Sequence, residues 1–320
     1  MRRILIGLRG VAVLAMAIAA QPAVGGAQAG DLNVVVTIKP IHSIVAAVMA
    51  DVATPTLLID GAASPHSFTL KPSDAKALAA ARVVFRVSDS LEPFMGKIVK
   101  SLPASVKVVS LEQTPHLTLH KIRSGGTFHA HDEGTVGKHS HGHSHGKDNA
   151  GIDSHIWLDP SNAALIATEV AEILGKVQPN EAGRFKRNAD VFVRGLAALK
   201  AELAEKLAPL AGRPFIVFHD AYQYFEKRFG LEAVGSVTVS PDLAPSAKRL
   251  SALRARITRL KAVCVFAEPQ FEPRQISTIT EDTTAKRGVL DPLGTSIPAG
   301  AGHYEALMTK LAVDFAECLT

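Results

Sequence analysis

His66 ends the segment Gly61-Ala-Ala-Ser-Pro-His66, which follows the apolar run Leu57-Leu58-Ile59. His219 directly follows Phe215-Ile-Val-Phe218, Asp291 directly follows Gly288-Val-Leu290, and His155 sits in Asp153-Ser-His-Ile-Trp-Leu-Asp-Pro160. Three of these four positions fall at the carboxyl end of an expected strand, where open α/β sheets bind their ligands. Three neutral imidazoles and a carboxylate suit a borderline-soft divalent cation, above all Zn²⁺, held tetrahedrally at about 2.0–2.2 Å. Mn²⁺ would favour more carboxylate oxygen, and Cu(I) would favour sulfur. The four residues form no local motif, so spacing alone does not separate ligands from capping or hydrogen-bonding side chains.

A second group of imidazoles is different in kind. Residues 116–151 are poor in apolar side chains yet hold eight of the thirteen histidines. His129 and His131 precede the alternating His139, His141, His143 and His145, with Ser and Gly between them. That composition makes a flexible loop, either a solvated linker or a metal-collecting tract in which several imidazoles close on one ion. Ordering the loop around an ion opposes binding, so such accessory sites are expected to be weaker than a preformed one.

These side chains need a framework to hold them. Val34-Val-Val-Thr-Ile38, Leu57-Leu58-Ile59, Val83-Val-Phe85 and Val106-Lys-Val-Val109 read as strands, with helical patterns after the first and over residues 71–81. Such alternation predicts an α/β fold with parallel sheets covered by helices. Residues 162–177 are helical in pattern, and Asn180 opens a longer segment. In it, Phe185, Ala189, Phe192, Leu196, Leu199, Leu203 and Leu207 form one apolar stripe that Pro209 ends. Gly195 is its weak point, costing about 1 kcal/mol against Ala. Beyond it, Phe215-Ile-Val-Phe218, Ala262-Val-Cys-Val-Phe266 and Gly288-Val-Leu290 read as strands. Helical patterns cover 221–229, 246–260, 273–285 and 304–315, and no internal repeat is evident.

Charge and cysteine content bound the function. The chain has 320 residues, 47% hydrophobic and 20% charged, which excludes wholesale disorder. Residues 1–29 contain Arg2, Arg3 and Arg9 and no acid, then an apolar run at 11–20, then Ala27-Gln28-Ala29. This is the pattern of a secretory signal peptide cleaved near Ala29. The run is about half of the roughly 20 residues a membrane span needs, which argues against an uncleaved anchor. Without these residues Lys+Arg falls from 35 to 32 against 30 acids, so the net charge of +5 becomes +2 and nucleic acid is not expected as a partner. Cys264 and Cys318 are either one disulfide, as an oxidising compartment permits, or two separate buried thiols. They lack the C-x-x-C spacing of redox catalysts.

Several longer segments carry a resemblance. Gly61-Ala-Ala-Ser-Pro-His66 with Lys71-Pro-Ser-Asp74, His155-Ile-Trp-Leu-Asp-Pro160, Val265-Phe-Ala-Glu-Pro-Gln270 and Leu290-Asp-Pro-Leu-Gly294 are four of them. The fifth, and among the most specific, is Val217-Phe-His-Asp-Ala-Tyr-Gln-Tyr-Phe-Glu-Lys-Arg-Phe-Gly230. Together they resemble the ZnuA-type zinc-binding proteins, the extracytoplasmic substrate-binding components of zinc-uptake ABC transporters. The resemblance runs from about residue 32 to the C-terminus. It implies two βα lobes with mainly parallel sheets, joined by a long rigid helix, with one metal in the interlobe cleft. The corresponding boundaries are 1–29 for the signal peptide, 30–178 for the N-terminal lobe with its His-rich loop, 179–209 for the helix and 210–320 for the C-terminal lobe. By match of motif, His66, His155 and His219 would be the imidazole ligands and Asp291 the cleft carboxylate. Manganese-binding relatives typically carry a carboxylate where His219 stands. Some zinc members have a glutamate before the first histidine, where this chain has Pro65, so the fourth ligand is Asp291 or water. The family also joins its cysteine pair, here Cys264 and Cys318, as a disulfide.

The function expected on this basis is capture of Zn²⁺ in the periplasm and its delivery to a membrane permease with its ATPase. The protein is expected to be a monomer, not an enzyme, and not membrane-spanning once the leader is removed. Other readings are a periplasmic zinc buffer or chaperone, and a manganese-preferring protein of the same class. A secreted zinc hydrolase would need Asp291 or Glu268 as general base, and no His-Glu-x-x-His motif supports it.

Overall fold

A computed structural model describes residues 32–123, 128, 151–238, 245–271 and 274–320. The expected signal peptide and His129, His131, His139, His141, His143 and His145 lie outside the described residues. In the N-terminal half, β1 (Val34–Val36), β2 (Thr56–Leu57), β3 (Val83–Arg86) and β4 (Lys107–Ser110) pair in parallel in the order β2-β1-β3-β4. Between them run α1 (Lys39–Val48), α2 (Pro72–Ala80) and the short α3 (Met95–Ile98). All three valines of β1 are fully buried, as a strand covered on both faces requires.

Two long helices follow. Pro160 begins α4 (Pro160–Val177), and the Asp159 side chain caps it by accepting the Ser161 N–H. Next comes α5 (Ala182–Leu207), which buries Phe185, Ala189, Leu196, Leu199, Leu203 and Leu207, so the apolar stripe read from the sequence faces the core. Gly195 stays within the helix.

The C-terminal half repeats the arrangement of the first. Its strands are β5 (Phe215–Val217), β6 (Ala233–Ser236), β7 (Cys264–Ala267) and β8 (Lys286–Val289), parallel in the order β6-β5-β7-β8. Its helices are α6 (Gln223–Phe229), α7 (Ala247–Leu260), α8 (Arg274–Thr280) and α9 (His303–Leu319). Two departures from the sequence reading have simple causes. Ala233-Val-Gly-Ser236 has a single β-branched residue and gives almost no strand signal, so β6 was not expected. The helix expected over 221–229 starts at Gln223, because the Ala221 N–H closes a turn onto the His219 carbonyl at 2.9 Å. Gly230, at φ +71°, then ends α6 in a left-handed cap.

Both sheets therefore share one topology, with the first strand of each half lying between its second and third. The crevice at such a switch point is the usual ligand site of open α/β sheets. One apolar core runs continuously from Val34 and Phe85 through Leu174 of α4 and Leu203 of α5 to Phe215 and Phe315. A smaller core around Ile216, Leu253 and Val265 lies under α7 and α8. Cys264 of β7 and Cys318 of α9 form a disulfide with Cα atoms 5.8 Å apart. No helix among the described residues is long and apolar enough to cross a membrane.

Candidate metal centre

His219 leaves the end of β5 and Glu268 leaves the end of β7, adjacent strands at the C-terminal switch point. The Nδ1 of His219 lies 2.8 Å from the buried Glu268 carboxylate. A carboxylate only accepts, so Nδ1 carries the hydrogen and Nε2 is turned the other way. His155 is held in the same manner from the N-terminal half. Its Nδ1 lies 2.7 Å from Asp153 Oδ1, and the same oxygen accepts the His155 backbone N–H at 3.0 Å. Each ring is thus a carboxylate-buttressed imidazole, the arrangement that fixes tautomer and orientation in metal-ligating histidines.

The two free nitrogens converge, with 3.3 Å between His155 Nε2 and His219 Nε2. Donor atoms at about 2.0–2.1 Å from a tetrahedral ion are separated by about 3.3–3.4 Å, so this pair is already spaced for Zn²⁺. His66 completes the group from the loop after β2, its Nε2 buried and without a hydrogen-bond partner. One nitrogen of each ring lies within 4.8 Å of the other two. The space between the rings is about 20 Å³, room for an ion or a water. Pro65, Trp157, Phe271, Pro292 and Leu293 line it and lower its polarity.

Burial, reinforced by the other two rings, pushes the His66 imidazole down to about 2, so it is a neutral donor at any ordinary pH. At His219 burial acts in the same direction, but the charge and hydrogen bond of Glu268 outweigh it and hold the ring above the usual histidine value. In the metal-free protein a proton therefore favours His219, beside the place an ion would take. Replacing it with a divalent cation balances the two buried carboxylates, Asp153 and Glu268.

Asp291 lies two residues past β8 and is not part of this group of ligand atoms. Its Oδ1 accepts the N–H groups of Leu293 and Gly294, both at 3.0 Å, and the Gln270 amide at 2.8 Å. Its Oδ2 accepts both the N–H and the hydroxyl of Thr295 at 2.6 Å. Five donors occupy a carboxylate with about four lone-pair sites. The turn it holds is tight. Gly294 sits at φ +62°, and a Cβ there would approach the His303 ring to 2.9 Å.

The orienting carboxylates escaped the sequence reading as site residues. Asp153 precedes His155 by two positions, and Glu268 directly follows a strand that borders the switch point, which are the signals that mark them. Trp157 of the same motif braces the site from behind. Its indole donates to the Pro292 carbonyl at 2.8 Å, and its own carbonyl accepts the Tyr304 hydroxyl at 2.7 Å.

A family of known proteins matches this chain over residues 34–318, that of ZnuA, zinc-uptake complex component A, periplasmic. The chain belongs to the ZnuA family. The high-affinity zinc uptake system protein ZnuA of Brucella suis biovar 1 (strain 1330) is 44% identical over 315 residues, spanning 92% of this chain and 94% of its own. The protein of the same name from Yersinia pestis is 36% identical over 293 residues, spanning 89% and 91%. Among solved structures, a crystal structure of ZnuA superposes with a TM-score of 0.74 at 24% identity, covering 90% of this chain and 99% of that one. The Pseudomonas aeruginosa binding protein FpvC, solved with Mn²⁺, gives 0.73 at 21% identity, covering 90% and 98%.

Proposed function

We propose that the chain captures Zn²⁺ with His66, His155 and His219 and hands it to the membrane permease of an ABC transporter. The observation that carries this reading is the convergence of three imidazoles, two of them backed by buried carboxylates, on an ion-sized space. An all-nitrogen set favours Zn²⁺ over Mn²⁺, which prefers oxygen. The fourth position is taken by water, or by Asp291 once it gives up its hydrogen bonds to the 293–295 turn. The mature protein begins near Gly30, acts in the periplasm as a monomer, and carries weaker accessory sites on the His-rich segment 116–151. Its lobes span 30–178 and 210–320, with residues 179–209 between them.

Equilibrium titration of residues 30–320 with zinc and with manganese tests the proposal. One tight zinc site is expected. Micromolar or weaker zinc binding, or a preference for manganese, would overturn it. Deleting the gene should abolish growth in zinc-poor medium, with excess zinc restoring it, whereas a periplasmic buffer or chaperone would leave uptake intact.

A further inference from the structure

The base of the His-rich segment is fastened to the metal centre by side chains of the other half. Residues 120–123 run antiparallel to 151–153, with a bridge between Lys121 and Ile152. Ile122 N–H donates to the Gly151 carbonyl and Asp153 N–H to the His120 carbonyl, both at 2.9 Å. This neck ends at Asp153, the carboxylate that orients His155.

The N-terminal part of α6 grips the neck at three points. The Gln223 amide donates to the Lys121 carbonyl at 3.1 Å and to Asp153 Oδ2 at 3.2 Å, touching both strands. The Tyr224 hydroxyl donates to the Asp153 carbonyl at 2.7 Å and accepts the His120 N–H at 3.1 Å. Arg123 reaches Asp220, the residue after His219, through Nε at 3.0 Å and through Nη2. It also reaches Glu226 at 2.8 and 2.9 Å, and its guanidinium lies 4.3 Å from the centre of the Phe128 ring. Glu226 is itself fixed by the Ala233 N–H at 2.8 Å. The same short stretch, 219–226, thus supplies one ligand and clamps the support of another.

We propose that Gln223 and Arg123 are positioning residues that set how firmly the centre retains its ion, by tying the neck of the His-rich segment to Asp153, which orients His155, and to Asp220, the residue that follows His219. A displacement of the neck is then felt at Asp153 and Asp220 together, two residues before His155 and one after His219. This rests on the zinc-binding reading above. Removal of groups that orient metal ligands typically costs about 10–100-fold in metal affinity.

The test uses the mature chain and its Gln223→Leu, Arg123→Gln and Arg123→Lys variants. Zinc release into excess chelator gives the rate, and the visible spectrum of the Co²⁺-loaded protein reports ligand geometry. Gln223→Leu is expected to release zinc about 10-fold faster, with shifted Co²⁺ bands. Arg123→Gln should do the same, and Arg123→Lys, which keeps the charge without the fork, should recover part of the difference. Thermal unfolding of the metal-free variants runs alongside. Release rates within about twofold of the unaltered chain would overturn the inference, whatever the spectra show. Faster release with an unchanged Co²⁺ spectrum would also overturn it, since that marks loss of stability and not of positioning. If Arg123→Gln does not fold, Gln223→Leu and Arg123→Lys decide. Absence of a tight zinc site in the unaltered chain would overturn the metal reading itself, an outcome distinct from a tight site whose release the variants leave unchanged.

Discussion

An imidazole binds a metal only through a nitrogen that is unprotonated and aimed at it. At His155 and His219 a buried carboxylate accepts the Nδ1 hydrogen, so in the neutral ring the lone pair is on Nε2 and is aimed at the site. His219→Ala should therefore weaken the tight site by more than about 100-fold, and Glu268→Gln by about 10–100-fold, both read by chelator competition. Replacement of any one histidine between 129 and 145 should have far less effect on the same measurement. Proton competition follows from the same geometry. His66 is already neutral down to about 2 and contributes none over the working range. His219 is held above its ordinary value of 6.5, so the metal-free site gains a proton there as pH falls, and zinc must displace it. Zinc affinity is accordingly expected to fall as pH is lowered, with the loss beginning above 6.5 and protons released on binding. Titrations between about pH 8 and 5 in buffers of different ionisation enthalpy would measure both. An affinity independent of pH across that range would contradict the assignment of His219.

Elements, not single residues, decide how steady this geometry is. α5 is tied to the core by its buried stripe, and Leu203 is fully buried within it. Leu203→Ala should cost about 2–5 kcal/mol in chemical denaturation, through the lost burial and the cavity left behind. The disulfide between β7 and α9 spans 54 residues, so reduction or Cys318→Ser should cost about 4 kcal/mol in the chain-entropy description. β7 ends at Ala267 and Glu268 follows it, so loss of that tie should also loosen the metal site. Zinc at a fixed excess should then stabilise the reduced protein by less than it stabilises the oxidised one, since mass-action stabilisation of the folded state falls as binding weakens.

At the scale of the molecule, the two halves meet through one continuous core and through side chains that cross at the site. Arg228 forks onto Asp159 at 2.8 and 2.6 Å, joining α6 to the cap of α4. Trp157 likewise joins its loop to Pro292. A site assembled this way is preformed and asks little ordering of the protein when it binds. The His-rich segment has no such scaffold in its composition. Removal of residues 129–145 should leave one tight zinc site and lower the total stoichiometry, as counted by equilibrium dialysis. Loss of the tight site on that deletion would contradict the division into a preformed centre and accessory sites.

The sequence by itself determined the chemistry on offer. Strand-end histidines, an α/β alternation and the stripe of α5 are local patterns, because alternation and helical periodicity are written in neighbouring residues. So is the likeness of Val217-Phe-His-Asp-Ala-Tyr-Gln-Tyr-Phe-Glu-Lys-Arg-Phe-Gly230 to a zinc-binding family. What only the tertiary structure decided was which groups face one another. The shared strand order of the two halves leaves no mark in the sequence, since backbone pairing accepts many apolar residues alike. Asp153 and Glu268, marked by position only as candidates, became orienting groups, and Asp291 a carboxylate occupied by its own turn, through hydrogen bonds formed in the folded chain. Nor could spacing show that His155 and His219, 64 residues apart, bring their Nε2 atoms to 3.3 Å. Residue type sets what a side chain can donate or accept, and the packing of distant segments sets to whom.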